Sequence, residues 1–120
     1  METTVKTDLK EKVCKASVRY LERRGYEILD AHPNFEDIDL VAKDDDTVVF
    51  AKVFYRTGSE KGFVESEPNH NKMEISAALW LSESEEKDMV CRFDHISVLV
   101  LSPQRAFLRH HLNVMGVSKD

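Results

Sequence analysis

Apolar positions recur at helical spacing over the first part of the chain. Leu9, Val13, Ala16 and Tyr20 form one stripe, so the spacing predicts a helix over about Thr7 to Arg24. Asp8 with Glu11 three residues on has the form of a capping box, and Gly25 is a natural helix stop. Alternation then takes over. Tyr26-Glu27-Ile28-Leu29-Asp30 reads as a short strand and His32-Pro33-Asn34 as a turn. From Asp37 to Ala42, the positions Ile38, Leu40 and Ala42 alternate with Asp37, Asp39 and Val41, which predicts a second strand. Asp44-Asp45-Asp46 is a tight acidic turn. Thr47 to Arg56, rich in Val, Phe and Tyr, closes an antiparallel hairpin with the second strand.

Gly58 and Gly62 break any period between Thr57 and Pro68, which reads as a loop. Asn69 to Leu81 returns to helical spacing with a wide apolar arc (Met73, Ala77, Trp80, Leu81), as expected of a helix laid flat on a sheet. Ser82 to Asp88 is an acidic connection. Phe93 to Leu101 is dense enough in Ile, Val and Leu for a strand buried on both faces. Residues 104–115 fit either a helix after Ser102-Pro103 or a returning strand, and periodicity does not choose. Helix, three strands, helix and strand make an α/β layered domain with a mixed sheet.

At 120 residues the chain is expected to be a single domain, 1–120. No apolar run reaches the ~20 residues of a membrane span, and the N-terminus shows no secretory pattern. Cys14 and Cys91 are therefore expected as reduced thiols in a cytoplasm. A net charge of −5 excludes a globally basic nucleic-acid binder, so any such role needs a local patch. Lys12, Lys15, Arg19 and Arg23 supply a stripe on the first helix, readable as a phosphate-contacting face or as a solvated flank. The acidic triplet lacks the spaced oxygen ligands of a calcium loop. The five histidines lack zinc-binding spacing.

Four stretches, in order, resemble a known family: "YLERRGYEIL" (20–29), "EDIDLVAKDDDTVVFAKV" (36–53), "NKMEISAALWL" (71–81) and "RFDHISVLV" (92–100). They are similar to the YraN family of bacterial proteins, a branch of the restriction-endonuclease-like, PD-(D/E)XK nuclease superfamily. The resemblance implies a restriction-endonuclease-like αβββαβ core, a mixed sheet flanked by helices, and it favours a strand for the tail. It also implies where chemistry would sit. In the superfamily an Asp on the second strand and a Glu on the third hold Mg²⁺, and a Lys two residues later serves the attacking water. Hard Mg²⁺ prefers carboxylate oxygens and lowers the pKa of bound water.

Asp39 keeps the position of the metal aspartate, with Asp37 beside it. The third strand departs from the pattern, because Lys52 stands where the metal Glu is expected and Phe54 where the catalytic Lys is expected. At ~4 Å, a unit charge is worth about 4 kcal/mol at an effective dielectric of ~20, and exchanging Glu for Lys swings the site by two charges. The expectation is a self-neutralised site in which Lys52 pairs Asp37 or Asp39 and Phe54 fills the former wet pocket. No cofactor is then expected, with Mg or Mn needed only if the chain is an active, divergent endonuclease. Glu60, Glu65 or Glu67 would be the migrated carboxylates of that alternative, with Lys43 or Lys72 as ammonium. Lys72 also matches a family lysine and joins Lys12, Lys15, Arg19 and Arg23 as a candidate nucleic-acid contact. The function implied is a non-catalytic module whose partner is nucleic acid or another protein. The remaining alternative is a structural homodimer.

Overall fold

A computed structural model describes residues 2–35, 37–58, 62–63, 70–86 and 89–114, with side chains from residue 8 onward. The order of elements is α1 (Glu2–Arg23), β1 (Glu27–Asp30), β2 (Leu40–Asp44), β3 (Thr47–Thr57), α2 (His70–Ser82), β4 (Val90–Ser102) and β5 (Arg105–His111). This is an α/β fold. Its five strands lie in sequence order, antiparallel except for the parallel pair β3–β4, and α2 makes the crossover that a parallel pair requires. The tail is a strand. Paired antiparallel with β4, it places Val98 opposite Leu108 and Ile96 opposite His110.

The sheet has a core on each face. On one side Val13 and Leu21 of α1 meet Leu40, Ala42, Val49, Ala51, Val53, Ile96 and Val98. On the other, Ala77 of α2 meets Ile38, Val41, Val48 and Phe50, with Trp80 and Phe93 at the margin. Period two along β3 explains the split: Val49, Ala51 and Val53 face α1, while Val48 and Phe50 face α2. Trp80 lies edge-on to Phe50 and donates its indole N–H to Asp30 at 3.0 Å, which ties α2 to β1.

Three local expectations are corrected. First, α1 begins at Glu2, so Asp8 lies inside the helix and is no N-cap. Its fully buried positions are Val13, Ser17 and Leu21; of the expected stripe Leu9, Val13, Ala16 and Tyr20, Leu9 and Tyr20 pack only partly buried against this core and Ala16 borders an adjoining groove. Ser17 is fully buried because its hydroxyl donates back to the Val13 carbonyl at 2.9 Å, which removes the cost of burying a polar group. Second, the second strand starts at Leu40, three residues later than the alternation suggests, and Ile38 through Ala42 are all buried. The strand lies between two helical layers, so both of its faces are covered. Third, β4 begins at Val90 rather than Phe93. The helix stop at Gly25 is as expected: φ is +91°, Tyr26 N–H reaches the Leu21 carbonyl and Gly25 N–H the Glu22 carbonyl, a Schellman closure.

Candidate functional site

Asp39 stands where β2 begins. Its N–H bonds to the Ala51 carbonyl, and its Oδ2 accepts the Val53 N–H at 2.8 Å, so the side chain continues the ladder one step past the end of the strand. Two ammonium groups flank this carboxylate. Lys52 Nζ, from the directly facing position on β3, lies 3.4 Å from Oδ2, and Lys10 Nζ, from α1, lies 3.5 Å from Oδ1. The Asp39 side chain is only 6% exposed, whereas Lys52 is 21% and Lys10 53% exposed, so the cations cover it from the solvent side. Lys52 thus pairs Asp39. Lys10 was not anticipated, though the helical period shows a signal: Lys10 and Cys14 share one flank of α1.

A cleft of about 250 Å³ opens beside Asp39, lined by Lys10, Glu11, Cys14, His32 and Phe35 among others. Burial raises the Cys14 thiol pKa, and the Asp39 charge adds to the shift, so Cys14 is held as a neutral thiol. Phe54 does not line this cleft. It turns edge-on to His95 at 5.3 Å, across the sheet on β4, which corrects the expectation that it fills the space at Asp39. Asp37 is half-buried in the turn before β2. Lys43 pairs Glu86 at 3.4 Å and serves elsewhere. Glu60, Glu65 and Glu67 lie outside the described residues.

On its other flank α1 borders a groove of about 620 Å³ on the same face of the sheet. Lys12, Lys15 and Arg19 form one wall and the β4–β5 turn with Arg105 the other. Val13 and Val98 make the floor, with Leu9, Ala16 and Val100. Three of the stripe residues therefore converge on one feature. Arg23, exposed in the last turn of α1, does not line the groove, and Lys72 sits exposed on α2, which packs on the opposite face.

A second polar cluster was missed from the sequence. Asp94 on β4 is fully buried and accepts four hydrogen bonds: Arg92 Nε at 2.9 Å, Arg92 Nη2 at 3.0 Å, His110 Nε2 at 2.7 Å and the Asn113 N–H at 2.8 Å. Arg92 also donates to Asp44 at 3.1 Å and to the Tyr26 hydroxyl at 2.7 Å, and His110 Nδ1 lies 3.1 Å from the Tyr20 hydroxyl. Burial works to raise the Asp94 carboxyl, but the bonds from His110, Arg92 and Asn113 outweigh it, and its pKa falls below the ordinary aspartate range. Burial likewise disfavours charge on Arg92, yet its bonds to Asp94, Asp44 and Tyr26 hold it protonated. The signal available was Arg92 and Asp94 two apart, on the strand face that continues with Ile96 and Val98 into the core.

Comparison with known proteins places these features in a lineage. The profile of the uncharacterised protein family UPF0102 matches residues 14–98. A UPF0102 protein of Pelotomaculum thermopropionicum is 38% identical over 90 residues, covering 71% of this chain and 75% of that protein. One from Geobacter metallireducens is 35% identical over 109 residues, covering 85% and 87%. One from Chlorobaculum tepidum is 32% identical over 102 residues, covering 81% and 79%. The matched span includes Asp39, Lys52 and the strands that carry them. Among the described residues no helix is long and apolar enough to cross a membrane.

Proposed function

The chain belongs to the uncharacterised protein family UPF0102, the YraN family anticipated from its motifs, and we propose that it is a nuclease-related scaffold that binds an acidic partner without cutting it. In this reading the αβββαβ core is that of the restriction-endonuclease-like, PD-(D/E)XK proteins, and Asp39 is the remnant of their metal site. One observation carries the reading: the ammonium groups of Lys52 and Lys10 flank the carboxylate of Asp39 at 3.4 and 3.5 Å.

Among the described residues, those around Asp39 do not fit a divalent ion. Among the described residues no three His, Cys, Asp or Glu side chains converge as donors. An incoming Mg²⁺ would meet two positive charges at the one carboxylate and would have to displace both. The cations already neutralise Asp39, and its remaining hydrogen bond holds the start of β2 against β3. Asp39 thus has a structural duty that needs no cofactor.

Binding falls to the other flank of α1. Lys12, Lys15 and Arg19 gather there although the protein as a whole carries −5, so the positive charge is local. Nucleic acids and acidic protein surfaces share the chemistry this flank selects. The test uses heparin as a generic polyanion together with single-stranded and branched DNA. The protein should be retained on heparin at low salt and released as salt rises, retention should be lost in Lys15→Glu/Arg19→Glu, and DNA should stay intact with Mn²⁺. Cleavage that requires Mn²⁺ and disappears in Asp39→Ala would establish a working nuclease instead.

A further inference from the structure

We infer that the groove between α1 and the β4–β5 turn is the docking site for an acidic amphipathic peptide segment of a partner protein. The inference rests on the binding reading above and narrows its partner. Two properties of the groove select the occupant. The first is its floor. Leu9, Val13, Ala16, Val98 and Val100 are all aliphatic, and among the described residues that line the groove none is aromatic. Single-stranded nucleic acid is held by stacking bases on aromatic rings, and this floor presents none. A duplex would meet the basic wall with its phosphates and leave the apolar floor uncovered. Leucine-like side chains, by contrast, gain by entering it.

The second property is the wall. Lys12, Lys15 and Arg19 are spaced i, i+3 and i+7, so they line about 10 Å of helix, roughly two turns. Arg105 stands on the opposite rim. Among the described residues these four cations make no ion pair with the protein's own carboxylates, although the chain is acidic overall. A peptide helix with apolar residues at i, i+3, i+4 and i+7, flanked by Glu or Asp, matches floor and rim together.

The test is fluorescence anisotropy on the full chain, with a fluorescein-labelled synthetic helical peptide carrying Leu at those positions and Glu around them. A labelled oligo-dT strand is the second probe. The peptide should bind, weakening about tenfold or more in Lys15→Glu/Arg19→Glu. Binding should also be lost in Ala16→Trp, which fills the groove without altering its charge. Arg23→Glu, on the same helix but outside the groove, should bind as the wild type does, and circular dichroism melts should confirm that each variant folds. No peptide binding, binding indifferent to Ala16→Trp, or oligo-dT binding in place of the peptide would each overturn the inference. Mn²⁺-dependent cleavage would overturn the non-catalytic reading and leave the groove result standing.

Discussion

Asp94 and Asp39 flank the same residue: Asp94 is in register with Ala51 across the parallel β3–β4 pair, and Asp39 donates its N–H to the Ala51 carbonyl from β2. Their surroundings differ in kind. Asp94 is fully buried and saturated by a planar guanidinium, an imidazole and a backbone N–H. Asp39 borders a cleft, and two flexible ammonium groups reach it at 3.4–3.5 Å, one of them mostly in solvent. A buried carboxylate without a cleft is committed to holding the fold. A carboxylate at a cleft, with flexible cations beside it, is the one that the proposed nuclease-related reading takes as a former ligand.

The contrast is sharpest in stability. Asp94→Ala leaves the Arg92 guanidinium without its main partner and should cost about 3–5 kcal/mol in chemical denaturation. Asp39→Ala removes one hydrogen bond to Val53 and two partly exposed ion pairs, and should cost about 1–2 kcal/mol. A larger loss at Asp39 than at Asp94 would reverse the assignment of roles.

Acid separates the same residues. The folded pKa of Asp94 lies below its unfolded value of about 3.9. Its contribution is therefore complete at neutral pH and is lost as pH falls below ~4 through the folded pKa. The stability gap between wild type and Asp94→Asn should accordingly narrow in that acid range. A gap constant from neutral pH to about pH 2 would contradict the charged network.

Smaller effects concern the cations. Lys10→Ala, at a mostly exposed end of its ion pair, should change stability by less than about 1 kcal/mol. Its interest lies in metal affinity. On the proposed nuclease-related reading, Lys52→Glu with Phe54→Lys should give weak Mn²⁺ binding by calorimetry, and adding Lys10→Ala should tighten it. If the double variant binds as tightly as the triple, Lys10 does not guard the site.

Much of this arrangement was legible in the sequence. Hydrophobic period marked both helices and the first four strands but left β5 open between helix and strand, and the hairpin turn at Asp45, with φ of +52°, lies where the acidic triplet indicated. The family resemblance implied that Lys52 pairs Asp37 or Asp39, and the contact is with Asp39. What failed did so for identifiable reasons. Ser17 gives no core signal in the sequence, because its buried hydroxyl is satisfied within its own helix, which a polarity pattern cannot register. Lys10 and the Asp94 cluster depend on contacts between distant segments. Tyr20, Tyr26, Asp44, Arg92, His110 and Asn113 meet only once β5 returns beside β4. The groove has the same origin, since Arg105 joins Lys12, Lys15 and Arg19 only through that return.

The Val53 amide, which donates to Asp39 at 2.8 Å, is the most direct reporter of whether the protein's own cations hold the place of a metal. Manganese broadens amide resonances close to it. In a two-dimensional NMR titration of the wild-type protein with Mn²⁺, the Val53 resonance should keep its intensity relative to buried amides elsewhere in the sheet. Selective, saturable loss of that resonance would contradict this by placing a divalent ion at Asp39.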